Sequence, residues 1–424
     1  MKHLVRLVLL GFICSSVSGA PTPPAEPEGA LTLAQALALV AARHPELELG
    51  RLDVAAAAAR KLQAGLWPNP TLAAEAENFG GSGERTGTAL TEYTVQIEQP
   101  LELGGKRSRR LHVAECEQRL TMFDLAAKQL DTQAETQRRF AALLAAQARV
   151  QLEGEFLALT EEFCRVAGLR VRAGRVSPLE ESRAQIELAR QRVAQQQATG
   201  ALATARGQLA ALWNSSAPRF TAVTGELAAL PDLPALETLQ AALPHNPDLA
   251  RWATEVEQRR ASLALVRAGR IPDVTAAAGV RWFNEDSGHA FVAGLSVPLP
   301  LFDRNQGALR EASVLLLKAE REQHAAEVRA QTALVAAHQA LASARTKALA
   351  LKDEVLPRAE QVLEATRAGY TQGKFTYLDV LEAQRSFCDA KAAHLDALAD
   401  CQQAAVEIQR LTTPGEPVAT STKK

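Results

Sequence analysis

Apolar positions along the chain follow two periods. Most of the sequence repeats them at three- and four-residue intervals, the signature of helices packed along one stripe, while four short stretches alternate. Thr71 to Phe79 with Thr91 to Gln99, and Val274 to Phe283 with Ala290 to Val297, read as two strand pairs joined by polar or Gly-rich loops at 80–90 and 284–289. In the second strand Tyr93, Val95 and Ile97 alternate with Thr94, Gln96 and Glu98. Aromatic residues stand near the strand ends, as a membrane barrel with aromatic girdles requires. Two soluble hairpins capping a helical rod would carry the same alternation, and the pattern alone leaves both open.

The helical period is sustained from Gly104 to about Arg172 and from Gly307 to about Gln372, each read as one unbroken rod of roughly 100 Å. Such rods need partners, and the shorter segments Pro45 to Leu66 and Pro178 to Trp213 are expected to stack end to end along the first. In the last helix Val380, Phe387, His394, Cys401 and Ile408 recur every seven residues beside Leu381, Cys388 and Leu395, a coiled-coil seam.

The chain is also written twice. His44-Pro45-Glu46-Leu47 is answered by Asn246-Pro247-Asp248-Leu249, and Gly174-Arg175-Val176-Ser177-Pro178-Leu179-Glu180 by Gly373-Lys374-Phe375-Thr376-Tyr377-Leu378-Asp379, about 200 residues apart and in the same order. The expected organisation is a first repeat over 31–213 with a helical hairpin at 104–213, an inter-repeat linker at 214–235, and a second repeat over 236–412 with its hairpin at 307–412. Ser177 to Glu180 and Thr376 to Asp379 both carry capping-box spacing. Sheet and hairpin tips therefore fall at opposite ends of the rods.

Composition narrows the class. Apolar residues make up 47% and aromatic residues 4%, and 47 Lys+Arg against 48 Asp+Glu exclude a nucleic-acid binder driven by bulk positive charge. Residues 1–20 read as a signal peptide, with Lys2 and Arg6 before an apolar stretch and Ser18-Gly19-Ala20 at the cleavage site. A Pro-rich linker at 21–30 and a disordered tail at 413–424 are expected to flank the repeats. Cys116, Cys164, Cys388 and Cys401 are read as small apolar residues in helix seams, without disulfides or metal. No nucleophile elbow, His-Glu-x-x-His or complete phosphate loop is present, so neither an enzyme nor a cofactor is expected.

Leu103-Gly104-Gly105-Lys106-Arg107, Pro300-Leu301-Phe302-Asp303-Arg304-Asn305-Gln306-Gly307, and Ala368-Gly369-Tyr370-Thr371-Gln372-Gly373 running into Leu378-Asp379-Val380-Leu381-Glu382-Ala383-Gln384 resemble the TolC-like outer-membrane efflux proteins over 31–412. The Pro-Leu-Phe-Asp segment is most similar to the CzcC-like heavy-metal branch. The resemblance implies a mainly α fold with a membrane β-barrel: a homotrimer whose chains share a 12-stranded barrel in outer-membrane lipid above a periplasmic coiled-coil tunnel. It further implies an exit duct of a tripartite resistance-nodulation-division system, engaging a periplasmic adaptor and an inner-membrane transporter. A drug-efflux or type I secretion duct, or a pore-free periplasmic adaptor, are the alternatives.

By the same resemblance, Asp379 and Glu382, three apart on one helix face, would ring the narrow entrance, where crowding of six carboxylates would raise some of their pKa values. Asp379 is equally placed to cap its helix. The tips at Gly174, Arg175, Ser177, Gly373, Lys374 and Thr376 would dock the adaptor. Arg367 and Lys374 are candidate gating charges, whereas Arg172 and Arg175 are read as solvated. Phe375 stands where some relatives place a basic gating residue.

Overall fold

The computed structural model of the protein describes residues 25–415; the signal peptide, the start of the Pro-rich linker and the end of the tail lie outside them. Elements run β1 (Ala30–Thr32), α1 (Leu33–Arg43), α2 (Pro45–Ala64), β2 (Thr71–Glu77), β3 (Glu92–Leu101), α3 (Lys106–Arg172), α4 (Pro178–Ala211), β4 (Ala222–Thr224), α5 (Leu236–Ala242), α6 (Pro247–Ala268), β5 (Val274–Phe283), β6 (His289–Ser296), α7 (Gln306–Ala350), α8 (Leu356–Thr371) and α9 (Tyr377–Thr412). Among the described residues no helix is long and apolar enough to cross a membrane.

Four strands form one antiparallel sheet in the order β2-β3-β5-β6, so the two hairpins join through β3 and β5. Residues opposite one another in an antiparallel register share a face. One face carries Leu72 and Ala74, Tyr93, Val95 and Ile97, Ala278, Val280 and Trp282, and Phe291, Ala293 and Leu295. The other carries Glu75 and Glu77, Glu92, Thr94, Gln96 and Glu98, then Arg281 and Thr275, and finally Ser296. The apolar face has no cover within the chain: Leu72 is 70% exposed, Phe291 86% and Leu295 77%. On the polar face Arg281 donates to Glu92 (2.9 Å) and the Thr94 hydroxyl (3.0 Å) and pairs with Glu77 at 3.4 Å.

Strand limits shift slightly from the alternating pattern. β2 stops at Glu77 because Asn78 turns into the left-handed region at φ 58° and donates its amide to Glu92. β3 runs on through Pro100, which is tolerated because β2 reaches only Glu98, leaving that proline a neighbour on one side.

Along α3 the shorter helices share the rod. α2 lies against its sheet-proximal part, with Lys61 3.2 Å from Glu115. α4 lies farther along, where Gln191 donates to Glu153 at 2.6 Å and Arg139 to Gln208 at 2.7 Å. The second repeat departs from the expected unbroken rod. Pro357 falls inside it, and a π-helical turn at Leu351–Val355 separates α7 from α8. A proline inside a helix removes one N–H and collides with the carbonyl four residues back, and the wider turn relieves both.

On α9 the seven-residue line is buried at Val380, Cys401 and Ile408, but Leu381, Cys388 and Leu395 beside it are only half-buried. The second buried line is instead Ala383, Ala390 and Ala397. Small side chains there let the helix axes approach closely, which a row of leucines would prevent.

Two segments expected as linkers carry structure. β1 pairs in parallel with β4, Leu31 opposite Val223. Leu31, Leu39, Phe140, Leu143, Trp213, Phe220 and Val223 form a buried core around that pair. Glu26 accepts from the Trp213 indole at 3.2 Å and the Arg219 amide at 2.7 Å, while Gln147 donates to and accepts from the Val223 backbone. Residues 26–32 and 219–224 thus form a small two-stranded sheet packed on the helices. At the other end Gly415 donates to the His245 carbonyl, so the tail is packed at least that far.

Candidate functional site

The two hairpin tips are built from one motif used twice. At the end of α3, Gly174 N–H bonds to the Val171 carbonyl and Arg175 N–H to that of Arg170; at the end of α8, Gly373 N–H bonds to Tyr370 and Lys374 N–H to Gly369. Both are Schellman endings, which need a left-handed residue, and Gly174 (φ 70°) and Gly373 (φ 78°) supply it. A Cβ at either glycine would meet nothing within 4 Å, so only the backbone conformation demands glycine there.

The caps that follow differ. Thr376 and Asp379 form the full capping box: the Asp379 carboxylate accepts from the Thr376 hydroxyl and amide, both at 2.7 Å, and Asp379 N–H donates back at 3.3 Å. These bonds, the hydroxyl first and the amide second, hold the Asp379 carboxyl below the usual carboxylate range. Within one chain the shift is therefore opposite to the rise expected from crowding. Ser177 caps α4 by accepting from Leu179, but the expected box is not completed. Glu180 turns away and accepts from the Tyr370 hydroxyl at 3.3 Å.

That contact belongs to a group the sequence reading missed. Arg170 lies 4.2 Å over the Tyr370 ring and donates to the Tyr370 carbonyl at 2.6 Å, so Tyr370 is held from two sides by the first repeat. Burial first, and Glu180 second, push its phenol up, and burial does the same more strongly for Tyr377, 6.2 Å away ring to ring. Phe163, Leu363 and Val380 complete the buried cluster. Tyr370 and Tyr377 are two of only three tyrosines in the chain and lie seven apart, which was the available signal.

Glu382 and Asp379 are both exposed and face away from the packed line of Tyr377, Val380 and Ala383. Asp389, Asp396 and Asp400 are exposed farther along α9, and Glu382, Asp389 and Asp396 repeat at seven residues. They form a stripe with a rise of about 10 Å per repeat, and the exposed Arg385 falls on the same face between Glu382 and Asp389. Arg367 is half-buried, 5.8 Å over the Phe163 ring and 4.0 Å from Glu364 on its own helix. Arg172, Arg175 and Lys374 are exposed. Phe375 lies against Gly369, where an added Cβ would collide with its ring.

Cys116, Cys164, Cys388 and Cys401 are free, and one of them joins a cluster. His112, Cys116 and Glu257 bring donor atoms within 4.8 Å of one another, away from the tips and near the sheet end of α3.

The sequence matches the family described as outer membrane efflux protein at residues 36–215 and 238–413, one segment for each repeat. It is 36% identical over 397 residues, 94% of this chain and 93% of the relative, to the cobalt-zinc-cadmium resistance protein CzcC of Cupriavidus metallidurans. It is 28% identical over 308 residues, 73% of this chain and 68% of the relative, to the nickel-cobalt-cadmium resistance protein NccC of Alcaligenes xylosoxydans xylosoxydans. In fold it resembles a crystal structure of CusC that concerns transmembrane channel formation. The TM-score is 0.79 at 17% identity, covering 95% of this chain and all of that one.

Proposed function

This chain belongs to the outer membrane efflux protein family, and from that premise we propose that it is the exit duct of a tripartite pump that expels divalent heavy-metal cations. The observation that carries the cargo is the 36% identity, over nearly the whole of both chains, to a cobalt-zinc-cadmium resistance protein. The chemistry of the surfaces supports it. Glu75, Glu77, Glu92 and Glu98 against Arg281 make the polar sheet face acidic, and Glu382, Asp389, Asp396 and Asp400 against Arg385 do the same for an exposed face of α9. A path lined in this way draws cations without holding them at one tight site.

The working form is a homotrimer. A four-stranded sheet leaves β2 and β6 as open edges, and backbone groups in lipid must be paired. Pairing β6 of one copy with β2 of the next closes twelve strands, apolar face to lipid and acidic face inward. The periplasmic adaptor, coupled to an inner-membrane transporter, engages the tips at Gly174 to Ser177 and Gly373 to Thr376. Asp379 and Glu382 then face the entrance, with Arg367 and Lys374 beside it.

The test is resistance. Expressed with an adaptor and transporter of the cobalt-zinc-cadmium class in a host lacking its own duct, the chain is expected to restore growth on cobalt, zinc and cadmium. Restored growth on drugs but on none of the metals would overturn the cargo assignment in favour of a drug duct.

A further inference from the structure

A group of side chains that the duct reading leaves without a role lies near the root of the sheet. α3 starts at Lys106, just after β3, and His112 lies about 9 Å along it. His112 and Cys116 are four apart and so share a helix face, while Glu257 comes from the neighbouring α6 of the other repeat. An imidazole nitrogen, a sulfur and a carboxylate oxygen from these three all lie within 4.8 Å of one another. Cys116 is fully buried, His112 is exposed and Glu257 is half-buried, so the soft donor lies at the floor of a crevice with the harder donors nearer its mouth.

Two further observations bear on what the crevice holds. Arg119 reaches into it, with one guanidinium nitrogen 3.2 Å from Cys116 Sγ and 2.6 Å from Glu257 Oε2. A positive charge thus already bridges sulfur and carboxylate. His112 places Nε2 3.7 Å from Glu257 and Nδ1 3.8 Å from Glu115, which Lys61 holds at 3.2 Å. Glu115 thus lies on the far side of the ring from Glu257, outside hydrogen-bond distance of Nδ1.

We propose that His112 Nε2, Cys116 Sγ and the Glu257 carboxylate bind one borderline or soft divalent cation, of the zinc, cobalt or cadmium kind, in exchange for Arg119. As the metal–sulfur bond forms, the Cys116 thiol releases its proton to water, and thiolate and carboxylate together balance the two positive charges. Arg119 keeps its charge and swings to solvent. Nitrogen, sulfur and oxygen donors suit these ions over calcium or magnesium. Three protein ligands leave a coordination position for water, the pattern of a site that exchanges its ligands rather than a closed structural one. An ion held there ties α3 of the first repeat to α6 of the second just below the barrel.

The experiment is a cobalt(II) titration of the purified full-length protein in detergent, followed by thiolate-to-cobalt charge-transfer absorption. One ion per chain with that absorption is expected, lost in Cys116→Ser although Cys164, Cys388 and Cys401 remain. Glu257→Gln is expected to weaken binding by about tenfold or more, and Arg119→Gln to tighten it. No charge-transfer band in the parent, or an unchanged band in Cys116→Ser, would overturn the site. If Cys116→Ser fails to assemble, the opposite shifts of Glu257→Gln and Arg119→Gln carry the test, and no shift in either overturns it. The duct reading is judged separately: metal resistance without this band rejects the site alone, and the band without metal resistance rejects the cargo alone.

Discussion

Asp379 and Glu382 differ in what can be learned from them. Asp379 is committed to Thr376, and its depressed pKa fixes the sign of its effect. A carboxyl lowered on folding stabilises the cap above its unfolded value near about 4, and that contribution is lost as pH falls through the lower folded value. Asp379→Asn is therefore expected to speed amide hydrogen exchange in the first turn of α9 at neutral pH, with parent and variant converging well below pH 4. A difference that persists at low pH would show that the cap acts otherwise. Glu382 lies beyond the cap, and Glu382→Gln is expected to leave that exchange unchanged while lowering cation selectivity in single-channel recordings. Unaltered selectivity would remove Glu382 from the entrance. The capping box at Thr376 was legible because its partners are three apart in sequence. Glu180 was not, because its partner is Tyr370, 190 residues away, and no local spacing reports such a contact.

At the scale of elements, sequence period located the helices and the sheet pattern but misjudged how α9 packs. A heptad shows which line is buried, yet the neighbouring lines differ only in side-chain size, and the leucines drew the eye from Ala383, Ala390 and Ala397. Closely spaced axes make those alanines intolerant of volume. Ala397→Leu, fully buried among Leu334, Leu341 and Cys401, is expected to cost about 1–3 kcal/mol by overpacking. Leu395→Ala on the half-buried flank is expected to cost less. Thermal unfolding of the detergent-solubilised protein compares the two, and a larger loss at Leu395 would restore the leucine line as the seam. The break at Pro357 was legible in the sequence, because a proline inside a helical stretch removes one N–H and crowds the preceding turn, and the reading of an unbroken rod passed over it. The π turn that accommodates it depends on the i–5 bond from Leu356 to Leu351, which periodicity does not encode.

At the scale of the molecule, the tandem repeat carried most of the architecture, because each copy supplies the same order of helix, strand pair and long helix. The two-stranded sheet of β1 and β4 was not legible because each strand is only three residues long, and parallel pairing across almost two hundred residues leaves no turn signal. The metal-ligand set escaped for a related reason: His112 and Cys116 are spaced for it, but Glu257 arrives from the other repeat. The unfinished edges at β2 and β6 have a genetic consequence. If rings of three draw chains at random from one pool, a lesion confined to either edge strand should behave as a dominant allele. With equal amounts of sound and damaged chain, roughly one ring in eight is built wholly of sound copies. Co-expressing an edge-strand variant such as Phe291→Lys with the parent should then depress metal tolerance far below half, whereas a recessive outcome would mean that damaged chains are excluded before the ring forms.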